Sequence, residues 1–131
     1  MKIITPIYLR FPRKTKKDKT ILLWNNWYRN AHYIESNKAK SVFKDIVAEQ
    51  VDRLPLCDKL PVAIHYEYYF KRKWTDLNNV HSTISKFFPD VLVEMGKLPD
   101  DTTEEIIYST ERFCGYDKDN PRAEIYLDYN Y

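Results

Sequence analysis

Apolar residues change period several times along this chain, and each change marks an element. Across Val62–Phe70 they alternate, with Val62, Ile64, Tyr66, Tyr68 and Phe70 set against Ala63, His65, Glu67 and Tyr69. That is the period of a strand with one buried face. Ala39, Val42, Phe43, Ile46, Val47, Gln50 and Val51 recur every three or four residues and predict an amphipathic helix lying on a sheet. Ser36 or Asn37 is its expected N-cap, and Pro55 lies beyond its end. A second stripe, Val80, Ile84, Phe87, Phe88, Val91, Leu92 and Met95, starts after Asn79 and should stop at Gly96, the residue that a left-handed C′ position favours. Pro89 inside it predicts a kink or a split. Residues 3–9, interrupted by Pro6, read as an edge or first strand. Residues 106–113 and 123–129 read as two more, joined by turn chemistry at Gly115, Asp117, Asn120 and Pro121.

These elements predict an α+β fold: one small domain, with a mixed sheet of about four strands packed against two main helices. The 131 residues suit one core, since a second would leave both too small. Eleven tyrosines, six phenylalanines and three tryptophans argue for a folded chain. Cys57 and Cys114 stand far apart without a second thiol nearby, which excludes a zinc motif and suggests reduced thiols. The chain shows neither a signal-like apolar run at its start nor about 18 consecutive apolar residues, so a soluble cytoplasmic protein is expected. A net charge of +2 names no partner, and any electrostatic argument must rest on where charges lie.

They lie unevenly. Residues 10–19 hold six cations and one acid, and Lys71, Arg72 and Lys73 add three more. The first run reads as an exposed loop or arm, either a solvated connector or a phosphate contact through residues such as Arg13 and Lys14. The segment 25–33 is rich in amides and aromatics. Asn26 and Arg29 could face nucleic acid there, and a packed turn with backbone-capping asparagines is the alternative. His32 reads as a structural hydrogen-bonding residue and His65 as a surface histidine.

The stretch after the second cationic run carries candidate chemistry. Hydrolysing a phosphodiester requires neutralised charge on the phosphate and an activated water, both of which carboxylate-bound Mg²⁺ provides. Asp76 and Asp101 flank the second helix, and Asp100 stands next to Asp101. Folding that brings the first two carboxyl groups within about 4–6 Å would let them share one cation. Lys86 on the helix could hold a phosphate oxygen, and Lys71, Arg72 and Lys73 would guide the backbone. The competing interpretation makes Asp76, Asn78 or Asn79 a helix cap.

In order, Asp76-Leu77-Asn78-Asn79, Lys86 with Asp90 and Leu92, Gly96 and Asp100-Asp101 resemble the RusA family of Holliday junction resolvases and its phage-encoded relatives. Asn25 to Arg29 also looks like that family's N-terminal asparagine and tyrosine motif. The resemblance implies a homodimer that binds four-way DNA junctions and nicks them with Mg²⁺, or Mn²⁺ in its place. No small-molecule cofactor and no membrane enter this activity, and the setting is a bacterial or phage-infected cell. Carried over by position, Asp76 and Asp101 are metal-binding carboxylates and Lys86 the catalytic lysine. The second aspartate of the family's D-x-D-N motif is Asn78 here, which offers the metal a carbonyl oxygen but no charge. Two readings follow: a structure-specific endodeoxyribonuclease, or a RusA-like binder of branched DNA that cuts weakly or not at all. A small interaction domain with ordinary caps is the third.

Overall fold

Proline decides where the first strand ends. In the computed structural model, which describes residues 1–56 and 59–131, β1 (Lys2–Pro6) stops at Pro6 and β2 (Tyr8–Phe11) begins after Ile7. The single strand expected over residues 3–9 is therefore two strands in two different sheets. Pro6 has no N–H to continue a ladder, which explains the break. β2 turns through the exposed basic run and pairs antiparallel with β3 (Lys19–Leu22). Cys57 lies outside the described residues.

Two helices follow, the short α1 (Asn25–Asn30) and the long α2 (Tyr33–Asp52). α2 starts before the expected cap, because His32 Nδ1 accepts the N–H of Ile34 at 3.2 Å. His32 thus has the structural role that the sequence suggested, while Ser36 sits inside the first turn and donates to the Tyr33 carbonyl. The central strand is β4 (Val62–Phe70), and its alternation is realised: Val62, Ile64, Tyr66, Tyr68 and Phe70 are buried. α3 (Leu77–Glu94) then crosses to β5 (Ile106–Tyr116), and β6 (Arg122–Asp128) completes the domain. β4 and β5 run parallel, β6 lies antiparallel to both β4 and β1, and the order is β1-β6-β4-β5. This is the expected α+β fold, a mixed four-strand sheet with two long helices.

α3 runs as one helix through Pro89, so of the expected kink or split the split does not occur. Proline removes one backbone bond, that of the Ser85 carbonyl. Ser85 and Pro89 both line an open cleft, so the lost bond lies beside solvent. Pro89 is itself buried, and the packing of Phe87, Phe88, Val91 and Leu92 holds the helix together across it. α3 ends as the sequence predicts: Gly96 adopts φ 74°, its N–H bonds the Val93 carbonyl, and the Lys97 N–H bonds that of Leu92. Phe87 meets Tyr28 and Phe43 edge-on at 6.0 and 5.6 Å, tying α1 and α2 to α3. Among the described residues, no helix is long and apolar enough to cross a membrane.

Candidate nucleic-acid interface

β4 delivers the chain to the head of α3 through a tight cationic turn. Lys71, Arg72 and Lys73 leave the strand, Thr75 Oγ1 donates to the Arg72 carbonyl at 2.8 Å, and Trp74 takes φ 68°. A tryptophan in the left-handed region is a genuine outlier, and this one is 97% exposed. The turn forms one wall of an open cleft of about 790 Å³. Tyr8 and Trp24 beside the β2–β3 hairpin form another wall, and Lys118 approaches from the turn between β5 and β6. Lys71 Nζ lies 5.9 Å from the Tyr8 ring centroid. Four cations face one acid, Asp119, around this cleft.

Asp76 is the N-cap of α3, its Oδ1 accepting the Asn79 N–H at 3.1 Å. Asn79 Oδ1 in turn accepts the Asn26 N–H at 3.3 Å, which fastens α1 to the same helix end. Arg29 donates to Asn26 Oδ1 and is exposed, like Asn26, so both remain open to a ligand. Asn78 points to the β5 side, and with its amide turned so that the nitrogen faces that strand it donates to both oxygens of Glu111, at 2.9 and 3.1 Å. A carboxylate therefore does stand beside position 78, supplied by another strand. One turn on, His81 Nδ1 and the Tyr68 hydroxyl are 2.7 Å apart. Burial holds the His81 pKa below its ordinary value, with Glu111 acting the other way, so His81 is neutral near pH 7.

The remaining candidates are elsewhere. Lys86 lies ten residues past Asp76, about 15 Å along the helix at 1.5 Å per residue, with Nζ 4.8 Å from the Tyr28 ring centroid. Asp100 accepts the Asp101 N–H at 2.8 Å in the turn before β5. Asp101 lines a cleft of about 250 Å³ with Ser85, Pro89 and Ser109. Burial raises the nearby Asp90 carboxyl above its usual range, and Asp101 and Glu94 add to this against Lys40. Arg13 and Lys14 sit on the exposed hairpin tip away from the basic cleft, with Arg13 Nε donating to the Lys17 carbonyl at 2.7 Å.

The expectation that Asp76 and Asp101 meet within one chain is corrected. Asp76 precedes α3, and Asp101 packs beside Ser85 and Pro89, some 14–20 Å down the helix axis. The cause is topological, since a crossover between parallel strands puts its two ends at opposite ends of those strands. Among the described residues, no group of three or more His, Cys, Asp or Glu side chains could hold a metal ion. Asp76, Asn78 and Asp101 of a single chain thus do not fit a shared Mg²⁺. Sequence reasoning missed Glu111, His81, Trp74 and Lys118. The alternation in β5 puts Glu111 on the helix side, but only its pairing with β4 sets it level with Asn78.

His65 bonds Thr110 Oγ1 at 2.7 Å and Asp128 Oδ2 at 3.2 Å on the sheet face away from the helices. Cys114 is a free, half-buried thiol, 3.6 Å from Glu67 Oε2. Compared with known proteins, the chain matches no family model and no curated sequence.

Proposed function

We propose that this protein binds branched DNA through the cleft at the head of α3, with the four-way junction as the ligand that the RusA resemblance implies. Trp74 carries this reading. A bulky residue on left-handed backbone costs on the order of 1–3 kcal/mol, and its ring is 97% exposed among three consecutive cations. No contact of that ring with the described residues offsets the cost. A flat indole held in water suits an unpaired base face, and the cations around it suit phosphates. Branch points present such faces, which a continuous duplex keeps stacked. The resemblance adds a homodimer working in the cytoplasm of a bacterial or phage-infected cell.

Nicking of the junction with Mg²⁺ or Mn²⁺ is the second reading. The observation favouring it is that Asn78 holds Glu111, a carboxylate, at the helix end that Asp76 caps. A single chain does not supply the full set of acids, so cutting would draw on two copies.

A labelled four-way junction and a duplex of the same sequence, compared by gel shift over about 50–200 mM salt, test both readings. The junction should bind more tightly, with affinity falling as salt rises. Trp74→Ala should weaken junction binding about 5- to 150-fold and leave the salt slope unchanged, because stacking releases no counterions. Equal affinity for both DNAs overturns the proposal. Symmetric nicks on adding the metal, lost in Asp101→Asn, would replace it with the nuclease reading.

A further inference from the structure

One face of the β2–β3 hairpin runs out of the core into an open groove, and we infer that an acidic peptide carrying one large apolar side chain docks there. Residues alternate across each strand, and partners in register share a face. Tyr8, Thr20 and Leu22 therefore face the basic cleft, while Leu9, Ile21, Phe11 and Lys19 face the other way. Leu9 and Ile21 are buried in the core. Phe11 and Lys19, nearer the tip, line a groove of about 500 Å³ together with Pro12, Arg13, Ile34 and Lys38. Its second wall is thus the first turns of α2, where Ile34 is 60% and its neighbour Tyr33 67% exposed. Large apolar side chains held together in water, beside an opening into the core, suit a partner's side chain.

Charge complementarity makes that partner acidic. Arg13 and Lys38 line the groove, and Lys14, Lys16 and Lys17 stand exposed on the adjoining tip. These five form no ion pair among the described residues. Glu35 is the one acid in the groove, and both its oxygens are engaged, by Lys19 Nζ at 2.5 Å and by Trp27 Nε1 at 3.3 Å. Lys38 Nζ lies 5.6 Å from the Phe11 ring centroid, so charge and apolar surface meet within the reach of a short segment. A rim of one sign steers the opposite sign to it, and the apolar wall then holds what arrives. Nucleic acid also brings negative charge, but its bases stack on flat exposed rings such as Trp74. Pro12 and Ile34 present aliphatic surface instead, which fits a side chain. The groove lies on the opposite face of the hairpin from the basic cleft, and the inference does not rest on DNA binding.

Fluorescence anisotropy with short labelled peptides tests it. The probes place a single Phe, Leu or Trp among aspartates and glutamates, and two controls replace that residue by Ser or the acids by Lys. At least one probe should bind the wild type saturably, about tenfold more tightly than its Ser control, and the Lys control should not bind. Ile34→Glu puts a charge into the apolar wall and Lys38→Glu reverses the rim, and each should weaken the probe about tenfold. Ile34→Glu should leave junction binding unchanged. Circular dichroism reports whether the variants fold, and if Ile34→Glu does not, Lys38→Glu decides. No saturable binding of any probe up to about 1 mM, controls that bind as well as the probes, or a folded variant with wild-type affinity overturns the proposal. Displacement of the probe by excess four-way junction, with Ile34→Glu weakening both ligands alike, would give the groove to nucleic acid and overturn it as well.

Discussion

At the head of α3 the chain gathers Lys71, Arg72, Lys73 and Lys118 around an exposed tryptophan. At the tail it gathers Asp90, Glu94 and Asp101, and the Asp90 carboxyl is raised there, chiefly by burial, with the two neighbouring acids adding to it. The helix dipole has the same polarity, positive at its N-terminal end and negative at its C-terminal end. Charges and dipole therefore reinforce each other along an 18-residue helix, positive at its head and negative at its tail. Cations at the tail are used inside the protein: Lys97 bonds the carbonyls of Asp52 and Leu54, and Lys44 pairs with Glu94. Those at the head have no such employment, since Arg72, Lys73 and Lys118 make no ion pair among the described residues. The contrast shows why acids that flank one helix in the sequence need not form one site.

The sharpest way to break this contrast is to neutralise the head. Lys71→Ala, Arg72→Ala and Lys73→Ala together should reduce the salt slope of junction binding by about 2.7 and the affinity by roughly 500-fold at 0.1 M salt, at about 0.9 per phosphate contact. Asp100→Asn with Asp101→Asn at the tail should leave binding unchanged or slightly tighter. Fluorescence anisotropy with labelled junction separates the two, and equal losses would show that the ends do not differ in role.

The two helix ends also differ in how they are closed. Asp76→Ala removes a side-chain cap and should cost about 1 kcal/mol. Gly96→Ala puts a Cβ at φ 74° where no atom lies within 4 Å, so its cost of about 1 kcal/mol is backbone strain alone. Urea melts measure both, and an unaffected midpoint in either variant would deny that end its closure.

The smallest effect is a pH dependence of opposite sign at the two ends. His81 has a folded pKa below its ordinary 6.5, so below that value the unfolded chain takes up a proton that the folded chain resists. Its contribution to stability is fully present above pH 6.5 and falls as pH drops through the window beneath. Asp90 is raised above 3.8, so its contribution is lost as pH rises above that value. Melts near pH 7.5 and about pH 5.5 should show a drop in the wild type that His81→Phe diminishes. An identical drop in the variant would remove His81 as the cause.

Much of the fold was legible in the residues. β4 shows its buried face by alternation, α3 shows its stripe and its stop at Gly96, and the turn before β6 shows its aspartate, asparagine and proline, whereas Gly115, expected in that turn, lies inside β5 and pairs with Tyr69. Two departures have local causes, His32 capping α2 ahead of Ser36 and Pro6 dividing the first strand. A third, the unbroken passage of α3 through Pro89, depends on apolar packing around the proline, which no propensity encodes.

The sequence by itself determined the elements, the cationic turn after β4 and the acids on either side of α3, because periodicity, caps and charge runs are local properties of a chain. Tertiary structure alone decided that those acids stand at opposite ends of a crossover, that Glu111 comes level with Asn78, and that β5 has no strand on its outer edge among the described residues while Gln50 closes β1. Each of these depends on which strands become neighbours and in which direction they run, and strand pairing joins residues too far apart in the chain for any local pattern to record.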